Sequence, residues 1–185
     1  MLTILAFDPS TKRTGAAVIR DGQVLHTGAL VPVIGGKTAD LDNIRADRLR
    51  QLQDMADALI FAWEPSIVAI ETSEKWQRDK ADGYKAVEAL AQVRGVLMVA
   101  AHWSGVRVIL MDAQRARYLV CGHARVPKTD VPHYLRQRGH TVPMCCYPHK
   151  PPEDDLDIAD AVCLGLGVYH EQVLLQAGQE VKSGR

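Results

Sequence analysis

The fold is decided near the amino terminus, by residues 2–30, which read LTILAFDPSTKRTGAAVIRDGQVLHTGAL. Three short stretches in it have the length and the β-branched content of strands. These stretches are 2–7, 14–19 and 23–30. Asp8-Pro9 after the first is a turn signal, and Asp21-Gly22 between the second and third is typical of a two-residue hairpin. The segment therefore predicts three consecutive antiparallel strands.

The rest of the chain alternates strand and helix patterns. Helical periodicity and β-branched runs predict helices at 41–63, 84–102, 113–119, 129–138 and 155–176, strands at 66–70 and 106–111, and a loop at 143–152. We expect an α/β fold, with a mixed five-stranded sheet flanked by helices. Residues 1–176 are expected to form one domain, and residues 177–185 a frayed tail.

Composition narrows the class of protein only broadly. Of 185 residues, 47% are apolar and 24% charged, with a net charge of zero, which is ordinary for a globular domain. No uninterrupted apolar run approaches the ~18 residues of a membrane span, and no basic segment precedes an apolar one at the start. These features predict a cytoplasmic protein that does not act in a membrane.

Positive charge is concentrated between Asp112 and Lys150, a stretch that contains seven Lys/Arg residues and only two acidic ones. Such a stretch is compatible with a phosphate-binding face and equally with a solvated helix surface. In the same region Cys121, His123, Cys145 and His149 are a possible zinc set, although their spacing matches no strong zinc pattern. Cys163 lies in an apolar helix and is expected to fill the core.

Four carboxylates fall where a site is expected. Asp8 ends the first strand and Glu71 the fourth, and ligand sites of α/β sheets gather beyond the carboxyl ends of strands. Asp157 and Asp160, three residues apart, share one helix face. Clustered carboxylates suit hard divalent ions such as Mg²⁺. The alternative is that acids at a helix start serve only as caps, the role expected of Asp154 or Asp155.

Several segments, in order, resemble motifs of the RuvC Holliday junction resolvases. Residues 5–10 with Thr14-Gly15 look like the first motif of that family and 68–71 like the second. Residues 90–101 are similar to its central helix, and 157–162 to its closing acidic motif. Lys128 and Arg117 match positions of basic residues in the family. The resemblance extends from about residue 2 to residue 170.

This resemblance implies a ribonuclease H-like fold, a homodimer, and paired nicks in a four-way DNA junction with Mg²⁺ or Mn²⁺, two ions per site. Asp8, Glu71, Asp157 and Asp160 are the implied metal ligands. Lys128 is the implied contact to a phosphate or the transition state. Arg115, Arg117 and Lys128 are expected to contact DNA.

The chain also departs from the family pattern. Ser10 replaces the usual glycine after Asp-Pro, and the loop after Glu71 is longer and lacks the phenylalanine that wedges junctions apart. Trp76 is a candidate for that wedge, because an aromatic ring stacks on unpaired bases. Its neighbours Lys75, Arg78 and Lys80 would bind flanking phosphates. The alternative is that Trp76 packs beneath its loop.

Three other classes compete with this interpretation. The first motif also resembles the YqgF family, although the segment ending at Glu71 fits RuvC better. The sugar kinase and actin group has a similar first strand but needs a second domain, for which the chain has no room. A non-catalytic protein that binds branched DNA is the third possibility, and four unused carboxylates argue against it because their repulsion would cost stability.

Overall fold

The computed structural model describes residues 1–33, 41–72, 83–145 and 153–183. The strands are β1 Thr3–Asp8, β2 Thr14–Arg20, β3 Gln23–Leu30, β4 Ile67–Thr72, β5 Arg107–Asp112, β6 Met144–Cys145 and β7 Glu153–Asp154. The helices are α1 Leu41–Trp63, α2 Gly83–Trp103, α3 Ala113–Cys121, α4 Val131–Gln137 and α5 Leu156–Ser183, with a 3-10 turn at Lys128–Asp130. The predicted α/β class is confirmed.

The five main strands form one mixed sheet in the order β3-β2-β1-β4-β5. β1, β2 and β3 pair antiparallel, whereas β4 and β5 continue the sheet in parallel with β1. The predicted hairpin between β2 and β3 is confirmed, because Asp21 and Gly22 both have positive φ angles, of 48° and 81°. The parallel pairing of β1 with β4 brings the ends of the two strands, at Asp8 and Glu71, to one edge of the sheet.

Helices cover both faces of the sheet, and the alternation of side chains along each strand decides which residues each face receives. One set of alternate residues packs against α1 and α2; in β1 it includes Leu5 and Phe7. The other set packs against α3, α4 and α5 and includes Ile4 and Ala6. Asp8 continues the second set, so its carboxylate lies on the α5 face.

On the face of the sheet that packs against α5, the side chains become smaller towards the carboxyl ends of β1 and β4. Three strands align there in rows, as the register of β2, β1 and β4 shows. The rows are Ile19-Ile4-Ile67, then Ala17-Ala6-Ala69, then Gly15 and Asp8 beside the end of β4. A Cβ atom on Gly15 would lie 2.2 Å from the carbonyl oxygen of Asp157. This decrease in side-chain size along the strands, the taper of the α5 face, lets the first turn of α5 approach the strands closely.

Three of the predicted boundaries are wrong. The predicted loop 143–152 contains strand β6, which pairs with β7 directly after the predicted loop. The predicted helix 129–138 divides into a 3-10 turn and α4, whose first turn holds Pro132, where a missing N–H is tolerated. α5 continues to Ser183 instead of ending at residue 176, so the stretch 177–183 is helical.

Helix α5 is long and apolar enough, by length and composition, to cross a membrane over Leu156–Gly178. In the protein 67% of its most apolar window is buried, as expected for the central helix of a core. The sequence expectation that no segment approaches the length of a span overlooked this helix, because its apolar residues are interrupted by a few polar ones.

Candidate metal and nucleic-acid site

Three carboxylates from three different elements converge at the edge of the sheet. Asp8 ends β1, Glu71 lies near the end of β4, and Asp160 lies in the second turn of α5. One carboxylate oxygen of each lies within 4.8 Å of the others. Asp8 and Asp160 are buried, with 7% and 5% of their surface exposed. The sequence prediction that these three side chains meet agrees with the geometry.

Asp157, the fourth predicted carboxylate, reaches the cluster through Lys128. The ammonium of Lys128 lies 3.1 Å from Asp157 Oδ1, 3.1 Å from Asp160 Oδ2 and 3.3 Å from Asp8 Oδ2. Lys128 begins the 3-10 turn that precedes α4, so its backbone is held beside the site. One cation thus neutralises part of the charge that three carboxylates bring together.

Arg117 holds Asp160 from the other side. Its terminal Nη2 donates to both carboxylate oxygens of Asp160, at 3.1 and 3.2 Å, and its Nη1 donates to the carbonyl of Val126 at 3.2 Å. The side chain of Arg117 is only 16% exposed. Its geometry therefore makes it a partner of a site carboxylate, a contact that the sequence prediction of DNA binding did not include.

A second arginine contact was not predicted at all. Arg13, in the loop between β1 and β2, donates both terminal nitrogens to the carboxylate of Asp155 and contacts Asp157 Oδ2 at 3.3 Å. Asp155 also accepts from the backbone N–H of Ile158 at 3.2 Å, which confirms its predicted role as a helix cap. Arg13 thus links the loop between β1 and β2 to the start of α5.

Burial and mutual repulsion change the acidity of the cluster. Burial raises the pKa of Glu71 to about 8, and the charges of Asp8 and Asp160 add to the increase. Burial likewise raises the pKa of Asp8 to about 6, against the opposing attraction of Lys128. Burial alone would lower the pKa of Lys128, but Asp8 and Asp160 raise it above its usual value. The metal-free cluster therefore retains a proton on Glu71 at neutral pH.

The donor set fits a hard divalent cation. Carboxylate oxygens are the ligands that Mg²⁺ and Mn²⁺ prefer, and a cation near Asp8, Glu71 and Asp160 would relieve the repulsion that raises their pKa values. Within the described residues, these three side chains are the group of His, Cys, Asp and Glu whose ligand atoms come close enough to share an ion. The cluster can therefore hold a divalent metal.

Some predicted site residues lie elsewhere. Arg115 pairs with Glu171, about three helical turns beyond Asp160 along α5, so it is not part of the cluster. The candidate wedge Trp76 and the basic residues Lys75, Arg78 and Lys80 lie outside the described residues.

Cys121 and His123, the two residues of the possible zinc set whose side chains are described, have different neighbours. Cys121 is buried in the core that α5 shares with α3, and His123 contacts the hydroxyl of Tyr134 at 3.0 Å. The side chain of Cys145 and the whole of His149 lie outside the description. Cys163 is buried in the same core as Cys121, which confirms its predicted packing role.

Comparison with known proteins agrees with the family resemblance of the sequence motifs. The family model described as crossover junction endodeoxyribonuclease RuvC matches residues 4–167. Proteins of that name from Tolumonas auensis and Shewanella amazonensis are 29% and 30% identical to the chain. They align with 95% and 96% of it, over 91% and 92% of their own lengths. The solved structure of Thermus thermophilus RuvC in complex with Holliday junction substrate superposes with a TM-score of 0.68 at 15% identity, covering 94% of this chain and 96% of that one.

The mixed five-stranded sheet defines a ribonuclease H-like protein, and the acidic cluster at the edge of the sheet can hold a divalent metal. The family model and the relatives, which align along nearly the whole chain, then specify the branch within that class. The chain belongs to the crossover junction endodeoxyribonuclease RuvC family. Of the two families that its first motif resembles, RuvC and not YqgF is therefore the correct one.

Proposed function

We propose that this protein is a metal-dependent endonuclease that resolves four-way DNA junctions by paired, symmetric nicks. The observation that carries the proposal is the convergence of Asp8, Glu71 and Asp160 within 4.8 Å, with Lys128 beside them. Membership of the RuvC family supports the substrate class. A relative of the same fold has been solved in complex with Holliday junction substrate, which supports it further.

Asp8, Glu71, Asp157 and Asp160 are the proposed metal ligands, for Mg²⁺ or Mn²⁺ with two ions per site. When bound, such ions polarise the phosphate and lower the pKa of an attacking water. Asp157 lies outside the group of three, so the structure supports its role only through Lys128, which contacts Asp157, Asp8 and Asp160. Arg117 donates to Asp160 and Arg13 donates to Asp157, and these contacts restrict the rotation of the two carboxylates.

Lys128 has a second proposed role once the carboxylates hold a metal. If the carboxylates held a metal ion, they would no longer need Lys128 for neutralisation, and its ammonium would be available to a phosphate oxygen of the substrate. Its side chain is 39% exposed, so it reaches both the carboxylates and the solvent from which DNA approaches. A cation in this position stabilises the charge that develops on the phosphate in the transition state.

We also propose a homodimer, acting on DNA in the cytoplasm. A four-way junction presents symmetry-related strands, and a twofold assembly presents two sites to them. The proposed interface is the apolar helical stretch near residues 87–99. In support of this, α2 exposes Met98, Val99 and Trp103, the last with 76% of its surface exposed. Sedimentation equilibrium will show a particle of twice the 20.4 kDa chain mass if this holds.

The deciding experiment is cleavage of a panel of labelled DNA structures with Mg²⁺ or Mn²⁺. The panel contains a four-way junction, a three-way junction, a flap and a linear duplex. We expect preferred cutting of the four-way junction, at symmetry-related positions in two strands. Binding of the junction without cutting of any structure would instead favour a non-catalytic binding protein. Equal cutting of all four would leave the nuclease assignment and remove the junction specificity.

A further inference from the structure

A cavity of about 290 Å³ lies beside the β1–β2 loop, which follows Asp8. It is enclosed by the amino-terminal halves of α1 and α2 and by the loop that follows Asp8. Its apolar wall includes Leu49, with Leu52 and Val93 almost fully buried behind it. Such a wall accepts the face of a planar, weakly polar ring, and the volume is in the lower range of small-ligand pockets.

The cavity also contains an amide that lacks a partner. Gln92 lines it, and the side-chain oxygen of Gln92 is shielded from solvent without a hydrogen-bond partner among the described residues. A buried carbonyl oxygen in this condition costs free energy, and the cost is removed when the Gln92 side chain rotates so that a ligand N–H reaches the oxygen. All four DNA bases carry an N–H group on the edge that pairs in a duplex, and that edge is free only when the base is unpaired.

Two guanidinium groups add positive charge to the same cavity. Arg45 and Arg48 both line it, and Arg48 donates to the carbonyl oxygen of Thr11. Arg45 is exposed, so its charge is available to an approaching phosphate. An apolar slot, an unpartnered acceptor and nearby cations together match a nucleotide, whose base is planar and whose phosphate is negative.

The position of the cavity connects it to the cleavage site. Ser10 and Thr11 line it and follow Asp8 closely in the chain. Thr14 Oγ1 donates to the carbonyl of Ser10 at 3.3 Å, which ties the loop to the start of β2. We infer that the cavity binds an unpaired base of the DNA strand whose phosphate lies over Asp8, Glu71 and Asp160. This inference rests on the proposed function and adds a base-binding site to it.

The first test uses junctions that carry one abasic nucleotide, moved in turn through the positions flanking the cleavage point. Binding is measured by fluorescence anisotropy without divalent ions, so the result does not depend on catalysis. We expect one position at which removal of the base weakens binding about tenfold, equivalent to about 1.4 kcal/mol. A flat profile for a junction that is bound and cut normally would overturn the inference and leave the proposed function intact.

The second test fills the cavity. Ala89→Leu enlarges a side chain in its wall, and Ala46→Leu makes the same change at an exposed position of α1 that does not line it. We expect the Ala89→Leu protein to bind the intact and the abasic junction equally, with unchanged Mn²⁺ binding, while the control behaves as wild type. If Ala89→Leu fails to fold, Gln92→Leu, which removes the acceptor, takes its place with the same expectation. A variant that still distinguishes the two junctions as wild type does would contradict the inference.

Discussion

The two faces of the sheet are both buried, but they are built from residues of different size. Against α1 and α2 the central strands present large side chains up to the end of the strand, such as Leu5, Phe7 and Ile70. Against α5 they change from isoleucine to alanine to glycine and carboxylate along the same length. The first face therefore gives the protein its bulk packing, and the second lets a helix approach the strands.

The taper explains how a helix residue joins a site made by strands. Gly165 of α5 lies so near Ile19 and Ala6 that an added Cβ would be 2.6 Å from Ile19 and 3.1 Å from Ala6. Closer to the site, Gly15 meets the backbone of Asp157. With the helix held this closely, the carboxylate of Asp160 reaches those of Asp8 and Glu71. Side chains of ordinary size on this face would keep the three apart.

The largest expected effect separates chemistry from packing. Glu71→Gln will lower metal-dependent junction cleavage by at least about 100-fold, since loss of a metal ligand removes roughly 3 kcal/mol or more of transition-state stabilisation. Its stability without metal is expected to rise at neutral pH, because folding no longer requires Glu71 to take up a proton. Asp8→Asn and Asp160→Asn are expected to lose cleavage as well, with junction binding retained.

Phe7→Ala on the opposite face is the matched control. Phe7 is fully buried against α1 and α2, so its removal is expected to lower the free energy of unfolding by about 3–5 kcal/mol. Below its melting temperature that variant will still bind Mn²⁺. Near wild-type cleavage by Glu71→Gln would show that the site is assigned to the wrong residues.

The distance along the chain between contacting residues decides what could be predicted from the sequence. The strand ends at Asp8 and Glu71 follow from local signals, because turn residues and β-branched runs are read within a few positions. Asp157 and Asp160 follow from their helical spacing. The pair of Arg13 with Asp155 spans 142 residues and exists only once α5 is docked, so no local pattern indicates it. The partner of Arg115 likewise depends on where α3 meets α5, which the sequence does not reveal.

The second prediction concerns the pair of Arg13 with Asp155, which the sequence did not indicate. Arg13→Gln leaves the carboxylate of Asp155, which is 4% exposed, buried without its cation, and is expected to cost about 3 kcal/mol of stability. Arg50→Gln is the control, because Arg50 and Asp54 form an exposed pair on α1, with 65% and 62% exposure, and its loss will cost less than about 1 kcal/mol. Urea unfolding measures both. Equal, small effects would mean that Arg13 does not hold the start of α5.

The third prediction tests the close approach at the edge of the sheet. Gly15→Ala places a methyl group against the backbone of Asp157, so α5 must move; we expect a loss of about 1–3 kcal/mol and of most junction cleavage. Gly28→Ala in β3 is matched to it, since its added Cβ would meet only His26, at an ordinary 3.4 Å. Mn²⁺ titration and thermal melting follow the two effects. Full activity in Gly15→Ala would show that the helix does not need this proximity.

The fourth prediction concerns pH in the metal-free protein. The pKa of Glu71 rises from 4.5 to about 8 on folding and that of Asp8 from 3.8 to about 6. Over these intervals the folded protein holds protons that the unfolded chain has lost. Stability therefore falls as the pH rises from about 4 to 8, by at most about 1.4 kcal/mol per pH unit for each group.

Melting in EDTA across this pH range measures the decline. Glu71→Gln should flatten its upper part, and excess Mn²⁺ should reverse it by binding the deprotonated carboxylates. A melting temperature that is independent of pH between 5 and 8 in EDTA would contradict the burial of the cluster as described.

The smallest effects compare two glycines of one helix. Gly165→Ala and Gly178→Ala both relieve the entropic cost of glycine in a helix, by up to about 1 kcal/mol. At Gly165 the added methyl group meets Ile19 and Ala6, so we expect a net loss of about 1–2 kcal/mol. At Gly178 nothing lies within 4 Å of the added Cβ, so the gain remains and stability rises slightly. Urea midpoints of the two variants isolate the packing term, because the change in residue is the same. An unchanged midpoint for Gly178→Ala would mean that α5 frays before this residue, and a gain at Gly165 would mean that the α5 face tolerates a wider helix than its taper indicates.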